Sequence, residues 1–222
     1  MAASMAGHGI SKQSVSKQSL TNVLIFVILL SIVYIPANSK GPLDLMQHAL
    51  PLTLVYCGII ALSELLFWLV TKQNKHFKIL HVVQGAGLFV SSVLLFHAVA
   101  VLYGAPFTEA TAETFHFALL LSTTSVLPAC MFLGPHLNTW IRVFAHINPD
   151  LGKESVVFIT SIASVVGAWL GAFPIPLDWD RPWQVWPISC VLGTLIGYCT
   201  GLIVSAGHLY YKYTVLNKYK LT

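Results

Sequence analysis

Long uncharged stretches alternate along the chain with short charged clusters. Lys17 and Lys40 enclose 22 uncharged residues, and Asp44 and Lys72 enclose a second run that Glu64 alone interrupts. Lys78–Glu109, Glu113–Arg142, Glu154–Asp178 and Arg181–Lys212 enclose 30, 28, 23 and 30 uncharged residues in turn. A helix needs about 20 apolar residues to cross the hydrocarbon of a bilayer. Each run therefore holds one span, and none holds two. The predicted spans are 20–36, 49–70, 79–102, 114–133, 156–173 and 186–207. In lipid, backbone amides need partners within the protein, and apolar runs of this length find them as helices. The expected fold class is all-α: a polytopic membrane protein with six transmembrane helices. The expected organisation is a disordered tail over 1–19, a membrane domain over 20–211 and a basic tail over 212–222.

Composition agrees with lipid as the solvent. Hydrophobic residues make up 56% of the 222 and charged residues 9%, with a mean hydropathy of +0.75. A soluble domain carries about a quarter charged residues. The net charge of +4 is too small and too scattered for a nucleic-acid surface. It acts instead as a topology signal. Lys12, Lys17, Lys72, Lys75, Lys78, Arg142, Lys153, Lys212, Lys218 and Lys220 fall on one side of the predicted spans, and only Lys40 and Arg181 on the other. The positive-inside rule then places both termini in the cytosol. Asp44, Glu109, Glu113, Asp178 and Asp180 make the opposite, lumenal or extracellular face acidic. The first apolar run reads as a retained helix rather than a cleaved leader, since five further spans follow it.

Several residues carry candidate chemistry. Gly167 and Gly171 form a GxxxG pattern in the fifth span, and Gly193, Gly197 and Gly201 form two overlapping ones in the sixth. Such stripes let helix backbones approach closely, here against each other or against a helix of another protein. Glu64 lies alone among apolar residues, and His97 and His116 fall within the third and fourth spans. Ionisable groups in a span face the bundle interior or a cavity, as structural or functional groups. Helical rise sets Glu64 about 14 Å deeper than His97, which argues against their direct contact. His97 and His116 share the lumenal end and are candidate neighbours. Asp178, Trp179, Asp180, Arg181, Trp183 and Trp186 stand among four prolines between the last two spans. They read as a rigid interfacial loop or as a contact for a partner or a lipid ammonium group. Lys218 and Lys220, third and fifth from the end of the chain, resemble a dilysine signal for retrieval to the endoplasmic reticulum. Cys57, Cys130, Cys190 and Cys199 lie in apolar runs without zinc spacing and read as packing residues. No metal site and no cofactor are expected. The lumenal acids are separated by whole helices, unlike a metal-dependent phosphoryl-transfer site. Arg181-Pro182 matches a fragment of the acid-phosphatase-like lipid phosphatase motif, but Pro174 stands where that motif has lysine.

The segment Gly167–Cys190, with its Trp and Pro block, resembles the signature of the PIG-F family. Phe96-His97, Val101–Pro106, Glu113–Phe115, Leu133–Pro135 and Trp140–Phe144 extend the resemblance across residues of about 95 to 205. Over 20–94 the hydropathy and the order of spans agree. The resemblance implies a multi-pass membrane protein of the endoplasmic reticulum. It implies a non-catalytic subunit that binds and stabilises the PIG-O-type and PIG-G-type ethanolamine phosphate transferases. Those partners transfer ethanolamine phosphate from phosphatidylethanolamine to mannoses of the GPI-anchor precursor. No catalytic residue carries over. The alternative is a small protein that binds or translocates membrane lipids, such as phosphatidylethanolamine or the GPI precursor.

Overall fold

The computed structural model describes residues 12–38, 49–71, 79–177 and 179–221. Within them the chain forms helices and no strand. The helices are α1 (Lys12–Asn38), α2 (Ala49–Thr71), α3 (Ile79–Leu102), α4 (Thr111–Phe132), α5 (Leu137–Trp140), α6 (Lys153–Ala172) and α7 (Ile188–Leu221). The four residues of α5 run on into a π-helical turn, Ile141–Ala145, and a 3₁₀ turn at Pro182–Gln184 precedes α7. Five helices (α2, α3, α4, α6 and α7) are long and apolar enough to cross a membrane, and α1 carries a shorter apolar stretch, Val15–Leu29. The protein is therefore all-helical and polytopic.

Two expected tails are in fact helix. Residues 12–19, placed in a disordered tail, form the opening turns of α1. Val15 is 2% exposed and packs with Val156 and Leu209, so this segment has a buried face to hold it. Residues 212–221, expected as a separate basic tail, continue α7 without a break. Residues 1–11 and 222 lie outside the described set. The start of α7 comes two residues later than expected, because the segment before it folds as the 3₁₀ turn closed by Gln184 N–H donating to Arg181 O at 2.9 Å.

Helix α4 is the centre of the bundle. It packs against α2, α3, α6 and α7, and it buries a run of small polar residues from Ser122 to Ser125. Most of these hydroxyls close onto carbonyls one turn back, Thr123 Oγ1 to Leu119 O at 2.8 Å for example. A polar residue is thereby satisfied without water. Ser161 of α6 donates to Ser125 O at 2.8 Å across the helix pair. On the other flank, α1 runs antiparallel along α7, with Asn22 Nδ2 donating to Ser205 Oγ at 3.0 Å. The largest apolar core gathers Leu29, Tyr56, Ile60, Leu120, Leu195, Tyr198 and Leu202 from α1, α2, α4 and α7. Cys57, Cys190 and Cys199 are buried in it and Cys130 is half-buried, all as free thiols.

Candidate functional site

The glycines of α6 and α7 face one another. A Cβ placed on Gly167 would lie 2.2 Å from Gly193 O, and one on Gly197 would lie 2.2 Å from Ala163 O. A Cβ on Gly171 would lie 2.4 Å from Ser189 O, one on Gly193 would lie 2.3 Å from Gly167 O, and one on Gly201 would lie 2.8 Å from Thr160 Cα. At these distances only glycine allows the two backbones to touch. The stripes thus form an internal seam. Because the seam carries no side chains, a shallow apolar groove of about 580 Å³ opens along its outer edge, bordered by Leu170, Leu192 and Trp183.

Glu64 is 6% exposed in the middle of the bundle. Its Oε1 accepts a hydrogen bond from the Tyr198 hydroxyl of α7, itself fully buried. The partner of Glu64 is therefore a phenol and not a histidine. Depth arithmetic over all spans points to it. Glu64 lies about 22 Å along α2 and Tyr198 about 15 Å along α7, helices that run in the same direction, and a tyrosine side chain bridges the difference. A depth comparison of Glu64 with His97 alone does not reach Tyr198.

His97 and His116 each lie against the ring of Phe115. The His97 and Phe115 ring centroids are 6.5 Å apart, and those of Phe115 and His116 are 6.0 Å apart. His116 Nδ1 lies 2.6 Å from Ala112 O, and since a carbonyl only accepts, Nδ1 carries the proton. His97 Nδ1 is buried without a hydrogen-bond partner among the described residues.

The loop between α6 and α7 folds on itself around Gln184. Its amide nitrogen donates to Pro174 O at 2.8 Å and to Leu177 O at 2.5 Å, while its Oε1 accepts from Arg181 N–H at 2.9 Å. Nothing in the type or spacing of Gln184 marks it as this clasp. Trp186 anchors the loop to α4 through Nε1–H to Thr114 Oγ1 at 3.0 Å and an edge contact with Phe117 at 5.3 Å. Trp179 and Trp183 meet at 6.1 Å, edge to face. Trp179, Asp180 and Arg181 point outward and are exposed. Asp180 and Arg181 form no ion pair among the described residues, and Asp178 lies outside them. Lys218 and Lys220 fall on the helical backbone of α7, and their side chains are outside the described set.

At the opposite end of the bundle, Arg142 locks the π-helical turn to α6. It donates to both carboxylate oxygens of Glu154 at 2.7 and 2.8 Å, and to Asn148 O at 2.9 Å. The hydrogen bond with Glu154 holds the guanidinium pKa above its usual value, against the opposing effect of burial. Neither the charge pattern nor the family resemblance points to this pairing of Arg142 with Glu154. Among the described residues, no three His, Cys, Asp or Glu gather as a set of metal ligands.

Against known proteins, the family model described as "GPI biosynthesis protein family Pig-F" matches residues 12–206. A human protein named "GPI ethanolamine phosphate transferase, stabilizing subunit" is 43% identical over 194 residues, covering 84% of this chain and 88% of its own. The mouse protein of the same name is 43% identical over 199 residues, covering 86% and 90%. A Yarrowia lipolytica protein named "Glycosylphosphatidylinositol anchor biosynthesis protein 11" is 31% identical over 185 residues, covering 81% and 78%. No solved structure matches.

Proposed function

The chain belongs to the PIG-F family of GPI biosynthesis proteins, and on that premise we propose that it is a non-catalytic subunit of GPI ethanolamine phosphate transferases. Its partners in this reading are the catalytic subunits of the PIG-O and PIG-G types, which it binds and stabilises in the membrane of the endoplasmic reticulum. The observation that carries the reading is the match, over most of the chain, to relatives named as stabilizing subunits. The bundle supplies large lipid-facing apolar surfaces suited to holding another membrane protein. The chemistry of transfer belongs to the partner, which takes ethanolamine phosphate from phosphatidylethanolamine and places it on mannoses of the GPI precursor.

Purified alone, the chain is expected to transfer no ethanolamine phosphate to a GPI precursor. Purified with a catalytic subunit, it is expected to raise the recovery and thermal lifetime of that subunit. Robust transfer by the isolated chain would overturn the reading.

The apolar groove beside Trp183 favours a second reading, in which the protein binds or moves a lipid such as phosphatidylethanolamine or the GPI precursor. Partner-free liposomes separate the two. Lipid movement that Glu64→Gln abolishes supports the second reading and is not expected of a purely stabilising subunit.

A further inference from the structure

We propose that the groove along the α6–α7 seam seats one acyl chain of a phospholipid, and that Asp180 and Arg181 at its mouth select a headgroup in which a phosphate carries an ammonium. This deepens the lipid-binding reading above and rests on it. The groove starts beneath the α6–α7 loop, at Pro174, Trp183 and Ser189, and reaches Thr200. From Ser189 to Thr200 the helical rise is about 16 Å. One leaflet offers about 15 Å of hydrocarbon, half of about 30 Å. The groove thus has the depth of a single lipid tail. A helix of another protein crosses both leaflets, and this groove ends halfway.

Its lining changes with depth as a phospholipid does. Along the lower part, Leu170, Leu192 and Ile196 stand beside the glycine backbones. At the inner end Thr200 Oγ1 donates to Ile196 O at 2.8 Å, so its hydroxyl proton is already taken where a tail would end. The upper end differs. Ser189 shares a helical line with Gly193 and Gly197 and lines the groove where α7 begins. It is 5% exposed, and its Oγ has no hydrogen-bond partner among the described residues. A buried hydroxyl left unpaired is costly. The ester carbonyls of a phospholipid lie at the top of its tails and accept hydrogen bonds, which is what a serine at this depth lacks.

The loop above supplies the charges. Gln184 ties Arg181 to the groove's rim, since its side chain accepts from Arg181 N–H at 2.9 Å and donates to Pro174 O at 2.8 Å. Asp180 and Arg181 are exposed and form no ion pair among the described residues. A guanidinium presents a fork of N–H donors that fits phosphate. The neighbouring carboxylate accepts from an ammonium. A headgroup with both charges satisfies both residues, whereas one with the phosphate alone leaves Asp180 facing a like charge. Trp183 borders the groove beneath them, and Trp179 meets its ring edge to face. Tryptophan favours this headgroup layer.

The test uses the full chain, purified in detergent, stripped of lipid and titrated with single phospholipids while native mass spectrometry counts those bound. Phosphatidylethanolamine is expected to bind about tenfold more tightly than phosphatidylglycerol, which has the phosphate without the ammonium. Asp180→Asn with Arg181→Gln is expected to bring the two lipids within about twofold of each other. The melting temperature of the lipid-free variant should hold, because both side chains are exposed. Ile196→Trp fills the groove from its exposed wall and is expected to weaken both lipids about tenfold. Phosphatidylethanolamine with a photoreactive group on its acyl chain is expected to label the chain between residues 163 and 200. Equal binding of the two lipids by the unaltered chain, a preference kept by the loop variant, undiminished binding by Ile196→Trp, or labelling confined to other helices would each overturn this site, while lipid binding itself stands. If the unaltered chain binds neither lipid, the site and the lipid-binding reading fall together.

Discussion

A carboxylic acid in the middle of an apolar helix persists either by reaching water or by finding a donor inside the protein. Glu64 takes the second course, with Tyr198 as its donor. The pair ties α2 to α7 near the centre of the main core. Removing the donor leaves a buried acceptor unmatched, for which soluble proteins set a cost of about 1–3 kcal/mol. The bilayer figure is smaller, about 0.6 kcal/mol on average and at most about 1.7, because the unfolded helices also find partners in lipid. The lipid reference state governs here, so Tyr198→Phe is expected to destabilise by about 0.6 to 1.7 kcal/mol. Glu64→Gln keeps an acceptor for the phenol and is expected to cost less than Tyr198→Phe, while Glu64→Leu strands the buried hydroxyl and costs more than Glu64→Gln. Reversible unfolding in mixed micelles ranks the three variants. A Glu64→Gln protein as unstable as the leucine variant would show that the hydrogen bond is not what Glu64 supplies.

At the scale of elements, the α6–α7 seam decides what a glycine substitution reports. Gly167→Ala sets a methyl group 2.2 Å from a backbone oxygen, so the helices must separate along their length. Overpacking of a tight core costs typically about 1–3 kcal/mol, and this contact lies at or above the upper end. Gly58 and Gly207 are the internal controls, since a Cβ at either meets nothing within 4 Å. Alanine at those helical positions is expected to stabilise by up to about 1 kcal/mol through helix propensity. Thermal unfolding of the single variants should split them into two groups. Comparable melting temperatures for Gly167→Ala and Gly58→Ala would mean the seam is looser than described. The glycine stripes were legible in the sequence as close-approach surfaces, because GxxxG spacing has one physical use. Which surface they meet was not legible, since spacing on one helix says nothing of its neighbour. The Gln184 clasp was invisible for a related reason. A glutamine among prolines becomes a clasp only when the chain turns back on it, and that turn is a property of the whole loop.

Across the whole molecule, the alternation of uncharged runs and charged clusters was enough to place the long helices, because bilayer thickness fixes their length. It places both ends short of where helix continues; at the start of α1 the packing of Val15 on Val156 and Leu209 holds the extra turns. That same packing constrains topology. Ser19 reaches Ala206 O at 3.4 Å and Val15 packs with Leu209, so the start of α1 lies beside the far half of α7. The start of the first helix and the end of the last therefore emerge on one side. The ten-to-two distribution of Lys and Arg assigns that side to the cytosol. Epitope tags at either end are expected to be labelled when the plasma membrane alone is permeabilised, and a tag inserted after Gly104 is expected to stay protected. Continuation of α7 to Leu221 also bears on Lys218 and Lys220. The backbone at Lys218 lies about 45 Å from the start of α7, some 15 Å past a hydrocarbon layer of about 30 Å. The α7 backbone at these positions thus lies past the hydrocarbon, as the proposed retrieval reading requires. On the proposed function, Lys218→Ser with Lys220→Ser should let the protein, expressed without a catalytic partner, move beyond the endoplasmic reticulum, as imaging against compartment markers would reveal. Continued residence of that variant would shift retention from the lysines to the membrane helices.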